Sequence, residues 1–163
     1  VPQRRERVFF IARRKDLNLP KIELSFDAKP ITFGDIRTDK GIMPKITDGT
    51  KMFKLWQSRK ATDRNFSDVA KRVFNSSSFF NNIILFNNLI PPTLASGSSF
   101  YLYDSQHQVA SNDLITIQTF PQDYKFLKES YSFIKYVLGM SVPPLMSYGV
   151  AKEVEKQLLS KLK

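Results

Sequence analysis

Hydrophobic positions fall into short runs separated by turn formers, and the periods of those runs predict a mixed chain. The run Val8–Ala12, flanked by charge, reads as a buried strand. Ile22–Phe26 and Ile31–Phe33 are weaker strand candidates, with Pro20 and Pro30 marking turns before them. Residues 38–52, rich in Gly, Asp, Lys and Thr, read as loop. Ser67 is a candidate cap for a short helix through Phe74, with Asp68 in its first turn and Asn75–Ser78 as the break. Strands are predicted at Asn82–Phe86 and Ser99–Tyr103, separated by Pro91, Pro92 and Gly97. A helix from Ser111 to about Thr119 ends before Pro121. Another spans Glu129–Leu138, with Tyr131, Ile134 and Leu138 apolar and Gly139 as the candidate C-cap. The last helix starts near Pro143 and Pro144 and sets Leu145, Tyr148, Ala151, Val154, Leu158 and Leu162 on one face. The pattern is α+β, without internal repeats.

Composition narrows the chemistry. The 163 residues contain no Cys and one His, His107, so disulfides, thiolate nucleophiles and a metal centre are not expected. No apolar run reaches the ~18 residues of a membrane span, and the first residues, charged without an apolar stretch behind them, do not make a secretory signal. A cytoplasmic protein with no membrane partner is expected. The formal charge of +10 is unevenly placed: residues 1–16 and 45–74 hold 14 of the 25 Lys and Arg, and residues 75–123 hold none. Such blocks suit a polyanion, or form an ordinary solvated basic surface. The opening without Met, in the middle of a dense polar motif, reads as a piece of something larger.

Gln3, Arg5 and Arg7 alternate, so an extended backbone sets them on one face. Two guanidiniums and an amide there form either an oxyanion clamp or a salt-bridged surface strand. Downstream come Thr93-Leu94, the turn Gln118-Thr119-Phe120-Pro121 and the link Gly139-Met140-Ser141-Val142-Pro143-Pro144. Taken in order, these resemble the C-terminal third of the DNA cytosine-5 methyltransferases, in which a Gln-x-Arg-x-Arg strand precedes a variable recognition region, a Phe-Pro turn and a Gly-Asn-Ser/Ala-Val-Pro-Pro link. Met140 stands where that family has Asn, and His107–Asp113 keeps only the apolar and acidic character of the family's stretch. The family's Gly-rich methyl-donor loop, Pro-Cys nucleophile and Glu-Asn-Val acid are not in this sequence.

The resemblance implies a target-recognition domain joined to strand and helix elements of an incomplete Rossmann-like methyltransferase domain. Residues 1–37 would end the catalytic domain, 38–105 would recognise the target and 106–163 would return to the catalytic domain. The parent would be a restriction-modification enzyme, bacterial or phage, that flips cytosine out of duplex DNA and methylates C5 from S-adenosylmethionine; this chain alone would be inactive. Arg5 and Arg7 would hold the flipped cytosine or its phosphates, Gln3 would steady the loop, and Thr93 would touch a phosphate. Ser141 and Val142 would border the S-adenosylmethionine pocket. Lys51, Lys54, Arg59, Lys60 and Arg64 would contact DNA, Arg59 and Arg64 being able to read guanine. Phe53 and Trp56, three residues apart, are expected to face inward. Partners would be duplex DNA and the missing N-terminal catalytic region, with self-association through Phe9, Phe10, Ile11 and Leu158 in its absence. The alternative is a free-standing basic DNA-binding protein without enzymatic activity.

Overall fold

Two parallel strands, β1 (Asn82–Leu85) and β2 (Ser99–Leu102), organise the chain in a computed structural model that describes residues 1–26 and 28–162. Successive side chains of a strand point to opposite faces, and here each face has its own core. Leu85, Phe100 and Leu102 join Phe33, Leu94, Val109, Leu114, Ile117, Ile134 and Leu138 on one side. Ile84 and Tyr101 join Ile46, Leu55, Phe66, Val69 and Ala70 on the other. Burial on both faces explains why these strands read as continuous apolar runs.

Helices α1 (Lys51–Gln57) and α2 (Phe66–Phe74) supply the second core. Helix α1 corrects the loop expected up to residue 52: Thr50 accepts the Phe53 N–H and starts it at Lys51. The cap of α2 is Asn65, whose Oδ1 accepts the N–H groups of Ser67 and Asp68, so Ser67 sits inside the first turn rather than capping it. Helices α3 (Ser111–Ile117) and α4 (Tyr131–Met140) close the first core. Gly139 is not a C-cap. It lies within α4, where an added Cβ would fall 2.4 Å from Ser96 N and 2.5 Å from Ala95 C, so its role is close approach to a neighbouring backbone.

The N-terminal expectation fails. Residues 7–12 and 22–26 form no strand with any of the described residues, and the contact that Arg4 makes with Pro92 is an isolated bridge. A strand needs a ladder, and no neighbour offers one here. Phe33, in the third candidate run, enters a turn and is fully buried. The segment instead straps the last helix, α5 (Pro144–Gln157). Gln157 donates to the Glu23 carbonyl at 2.7 Å and accepts its N–H at 3.0 Å, while the Phe26 ring lies against Gly149. Phe9, Ile11, Ile22 and Leu24 gather around Leu158. Leu158 is therefore buried rather than exposed, and Phe9 and Ile11 are half-buried; Phe10 alone of the four stays out, at 94 % exposure. On α5 the buried residue is Val150, absent from the expected stripe, whereas Leu145 and Tyr148 face solvent. Among the described residues no helix is long and apolar enough to cross a membrane.

Candidate nucleic-acid interface

The alternation of the first residues turns Gln3 and Arg5 inward, into a buried polar cluster. Gln3 Nε2 donates to the Ile117 carbonyl at 2.8 Å and to Gln118 Oε1 at 2.7 Å. Gln118, fully buried, passes its own Nε2 to the Ser141 carbonyl and hydroxyl, both at 2.9 Å. Arg5 closes the circuit: Nη1 donates to the Leu94 carbonyl at 2.7 Å and Nη2 to the Ser141 carbonyl at 2.6 Å. One guanidinium thus ties the start of the chain to the 91–96 loop and to the α4–α5 link. Burial, and secondarily the nearby Arg7 charge, push the Arg5 pKa down. Its Nε finds no partner. Arg7 is exposed and donates to the neighbouring Glu6 carbonyl, so the two arginines do not converge on one open site.

Thr93 hydrogen-bonds through Oγ1 to the Arg4 carbonyl, and Arg4 N–H donates to the Pro91 carbonyl at 2.8 Å. This stitches the Thr93-Leu94 pair to residues 3–5. Ser141 directs its hydroxyl to the Leu138 carbonyl at 2.8 Å, and Val142 presents an exposed aliphatic surface. Every polar side-chain atom of Ser141 is engaged within the chain. These two residues by themselves do not fit S-adenosylmethionine, whose ribose and amino-acid end need free polar partners.

The basic residues of 45–74 separate into engaged and free groups. Arg59 is sandwiched, its guanidinium 3.6 Å from the Trp56 ring centroid and 5.0 Å from that of Tyr103. Its Nε donates to the Tyr103 carbonyl at 2.6 Å, and burial lowers its pKa. Trp56 also stacks near Phe53 and donates its indole N–H to the Leu102 carbonyl, so both aromatics are half-buried. Lys51 lies over the rings of Phe74 and Phe79, at 5.1 and 5.3 Å. Arg72 forks onto Asp63 at 2.9 and 2.8 Å, which holds the Asp63 carboxyl below the usual carboxylate range. Lys54, Lys60 and Arg64 remain exposed and without a carboxylate partner among the described residues.

Sequence reasoning did not find the Trp56–Arg59–Tyr103 stack; the signal available was the three-residue spacing of Trp56 and Arg59 across the end of α1. It also missed the wholly buried Asp113, whose carboxylate accepts the Thr38 N–H and hydroxyl and the Asp39 N–H, fixing the start of the 38–46 loop. Beside Arg64 the edge of β1 opens into a cleft of about 500 Å³ that Arg4, Pro91 and Pro92 also line.

The fold is thus a mixed α+β module with exposed cations on α1 and in the connection from α1 to α2. The sequence profile of the C-5 cytosine-specific DNA methylases matches residues 1–156, and the chain belongs to that family. No curated protein and no solved structure gives a significant match.

Proposed function

We propose that this chain is the C-terminal, target-recognising part of a DNA cytosine-5 methyltransferase of the restriction-modification type. The observation that carries the proposal is the disposition of charge in a chain matched to that family along 156 residues. Lys54, Lys60 and Arg64 are exposed on one module and have no carboxylate partner among the described residues, while the buried Gln3–Arg5–Gln118–Ser141 circuit locks the module's ends together. Exposed cations position DNA by neutralising phosphate. A rigid base is what a module needs to present them in fixed register.

The roles divide accordingly. Lys54, Lys60 and Arg64 contact phosphate. Lys51 and Arg59, held against aromatic rings, shape the surface and reach DNA at its margin. Arg5 and Gln3 act as positioning residues for the Thr93 loop, Arg7 is the exposed guanidinium near the target nucleotide, and Thr93 lies beside its phosphate. Methyl transfer needs a thiolate to attack C6, and this sequence has no Cys. The nucleophile and the S-adenosylmethionine site therefore belong to a separate N-terminal catalytic region, against which Val142 and the exposed face of α5 would lie.

The test is fluorescence anisotropy with a labelled duplex at several salt concentrations. With ~4–6 phosphates neutralised, log affinity should fall against log salt with a slope of about −4 to −5. Lys54→Ala or Lys60→Ala should flatten it by about one unit without changing sequence preference. Salt-independent affinity, or no binding at low salt, would sink the proposal.

A further inference from the structure

Apart from Arg64, proposed above as a phosphate contact, the residues lining the cleft at the edge of β1 have no part in the roles above. Its walls are apolar, with Phe80, Phe86 and Leu89 on them, and none of the residues lining it is acidic. Arg4 and Arg64 stand on it as cations, and neither is paired with a carboxylate among the described residues. Phe80 is 66 % exposed, an open aromatic ring with no ring packed on it among the described residues. Phe86 is backed by Tyr103 at 4.6 Å between centroids, so it is held as a firm wall. Asn65 also lines the cleft; its Oδ1 is committed to capping α2, which leaves the amide N–H groups for a ligand. A volume of about 500 Å³ lies within the range of small-molecule sites, ~300–1,000 Å³.

Aromatic walls, two guanidiniums and a lone amide donor suit a flat, hydrogen-bonding ring carried between phosphates. We infer that this cleft receives an unstacked nucleobase of the bound DNA, with Arg4 and Arg64 on the flanking phosphates. The inference rests on the DNA-binding reading and goes beyond it: it assigns a second nucleotide site, on the recognition module itself. The bridge between Arg4 and Pro92 and the Thr93 bond to the Arg4 carbonyl place the cleft mouth next to the loop proposed to follow the DNA backbone. Binding by stacking is tolerant of base identity, so the site would sense extrusion rather than sequence. The same nucleotide chemistry could reach the cleft as a free mononucleotide, and the test separates the two.

The 163-residue chain would be titrated, in low salt, against three duplexes of one sequence: fully paired, with one bulged nucleotide, and with a bulged abasic residue. The bulged base should bind at least about fivefold tighter than the other two, the lower end of what one base–aromatic stack is worth. Phe80→Ala and Leu89→Ser, both at exposed positions and neither changing the charge, should erase that preference while leaving the fully paired duplex unaffected. A deoxynucleoside monophosphate that abolishes the preference at micromolar concentration would assign the site to free nucleotide and overturn the inference. Equal affinity for all three duplexes would overturn it while leaving DNA binding intact. Absence of binding to any duplex would overturn the DNA-binding reading together with it. An abasic bulge as good as the bulged base would show that the protein reads the bend alone, which also refutes a base site.

Discussion

Replacing Arg5 with Met tests how much the buried guanidinium holds together. Two charge-assisted bonds disappear, to Leu94 and Ser141, each worth ~1.5–3 kcal/mol. Against that, Met removes a buried cation whose Nε has no partner, a relief of ~1–3 kcal/mol. The net loss should be about 2–3 kcal/mol, or ~4–12 °C in melting temperature for a chain of this size. The effect should also be asymmetric. The Ser141 carbonyl keeps its bond from Gln118, whereas no other bond reaches the Leu94 carbonyl among the described residues. Amide hydrogen exchange should therefore accelerate first in the 91–96 loop and less at the α4–α5 link, with α2 unchanged. Arg5→Lys should fall between, because one ammonium on a single stem does not span both carbonyls as the fork does. Thermal denaturation and exchange on purified variants give both readouts. A methionine variant as stable as the wild type would refute the account, and so would acceleration spread evenly over the molecule.

Gly139→Ala should destabilise by about 1–3 kcal/mol, because the new methyl meets the Ala95–Ser96 backbone and not a movable side chain; chemical denaturation measures it. Asp63 has its folded pKa depressed by Arg72, so its contribution is present above the ordinary carboxylate pKa of about 3.9 and is lost as pH falls through the lower folded value. Asp63→Asn should thus be less stable than wild type at pH 7, with the gap closing below about pH 4; equal gaps at both pH values would count against the ion pair. Val8, Phe10, Leu145 and Tyr148 are all more than half exposed, so sedimentation should show concentration-dependent association. A double Phe10→Ser, Leu145→Ser variant should weaken that association, and a strictly monomeric wild type across the micromolar range would refute it.

The elements legible in the sequence are those whose partners are close by along the chain. Helix α3, both strands and the bulk of α4 lie where periodicity sets them, because each buries its apolar stripe or run largely against neighbours within the 82–138 stretch; α5 lies at its expected span but buries Val150 rather than the expected stripe. Val8–Ala12 shows the limit: an apolar run looks the same whether or not a ladder exists to receive it, and here it becomes a strap on α5. Helix α1 was hidden because its start depends on one threonine at the end of a Gly- and Asp-rich loop. At the candidate site, the motif residues Gln3, Arg5, Gln118 and Ser141 stand out in sequence, but not their engagement with one another, since pairings 23, 115 and 136 residues apart leave no local period. Charge counting has the same weakness. Arg59 and Arg72 count as cations in sequence, yet an aromatic sandwich holds one and Asp63 pairs the other.

The strap along α5 bears on how such a module could be exchanged. Residues 23 and 26 lie against residues 157 and 149 of the last helix, so the stretches on either side of the intervening body run beside each other. Inserted units whose ends lie side by side are the ones that survive transplantation. A graft cut at residues 32 and 141 carries the whole first core with it. One cut at 38 and 105 would keep the second core but strip Phe33, Val109, Leu114, Ile117, Ile134 and Leu138 from the first, leaving Leu85, Phe100 and Leu102 uncovered on that face of the sheet. Any unit that carries the first core whole is set by where that core closes, at Phe33 and Leu138, well outside residues 38–105.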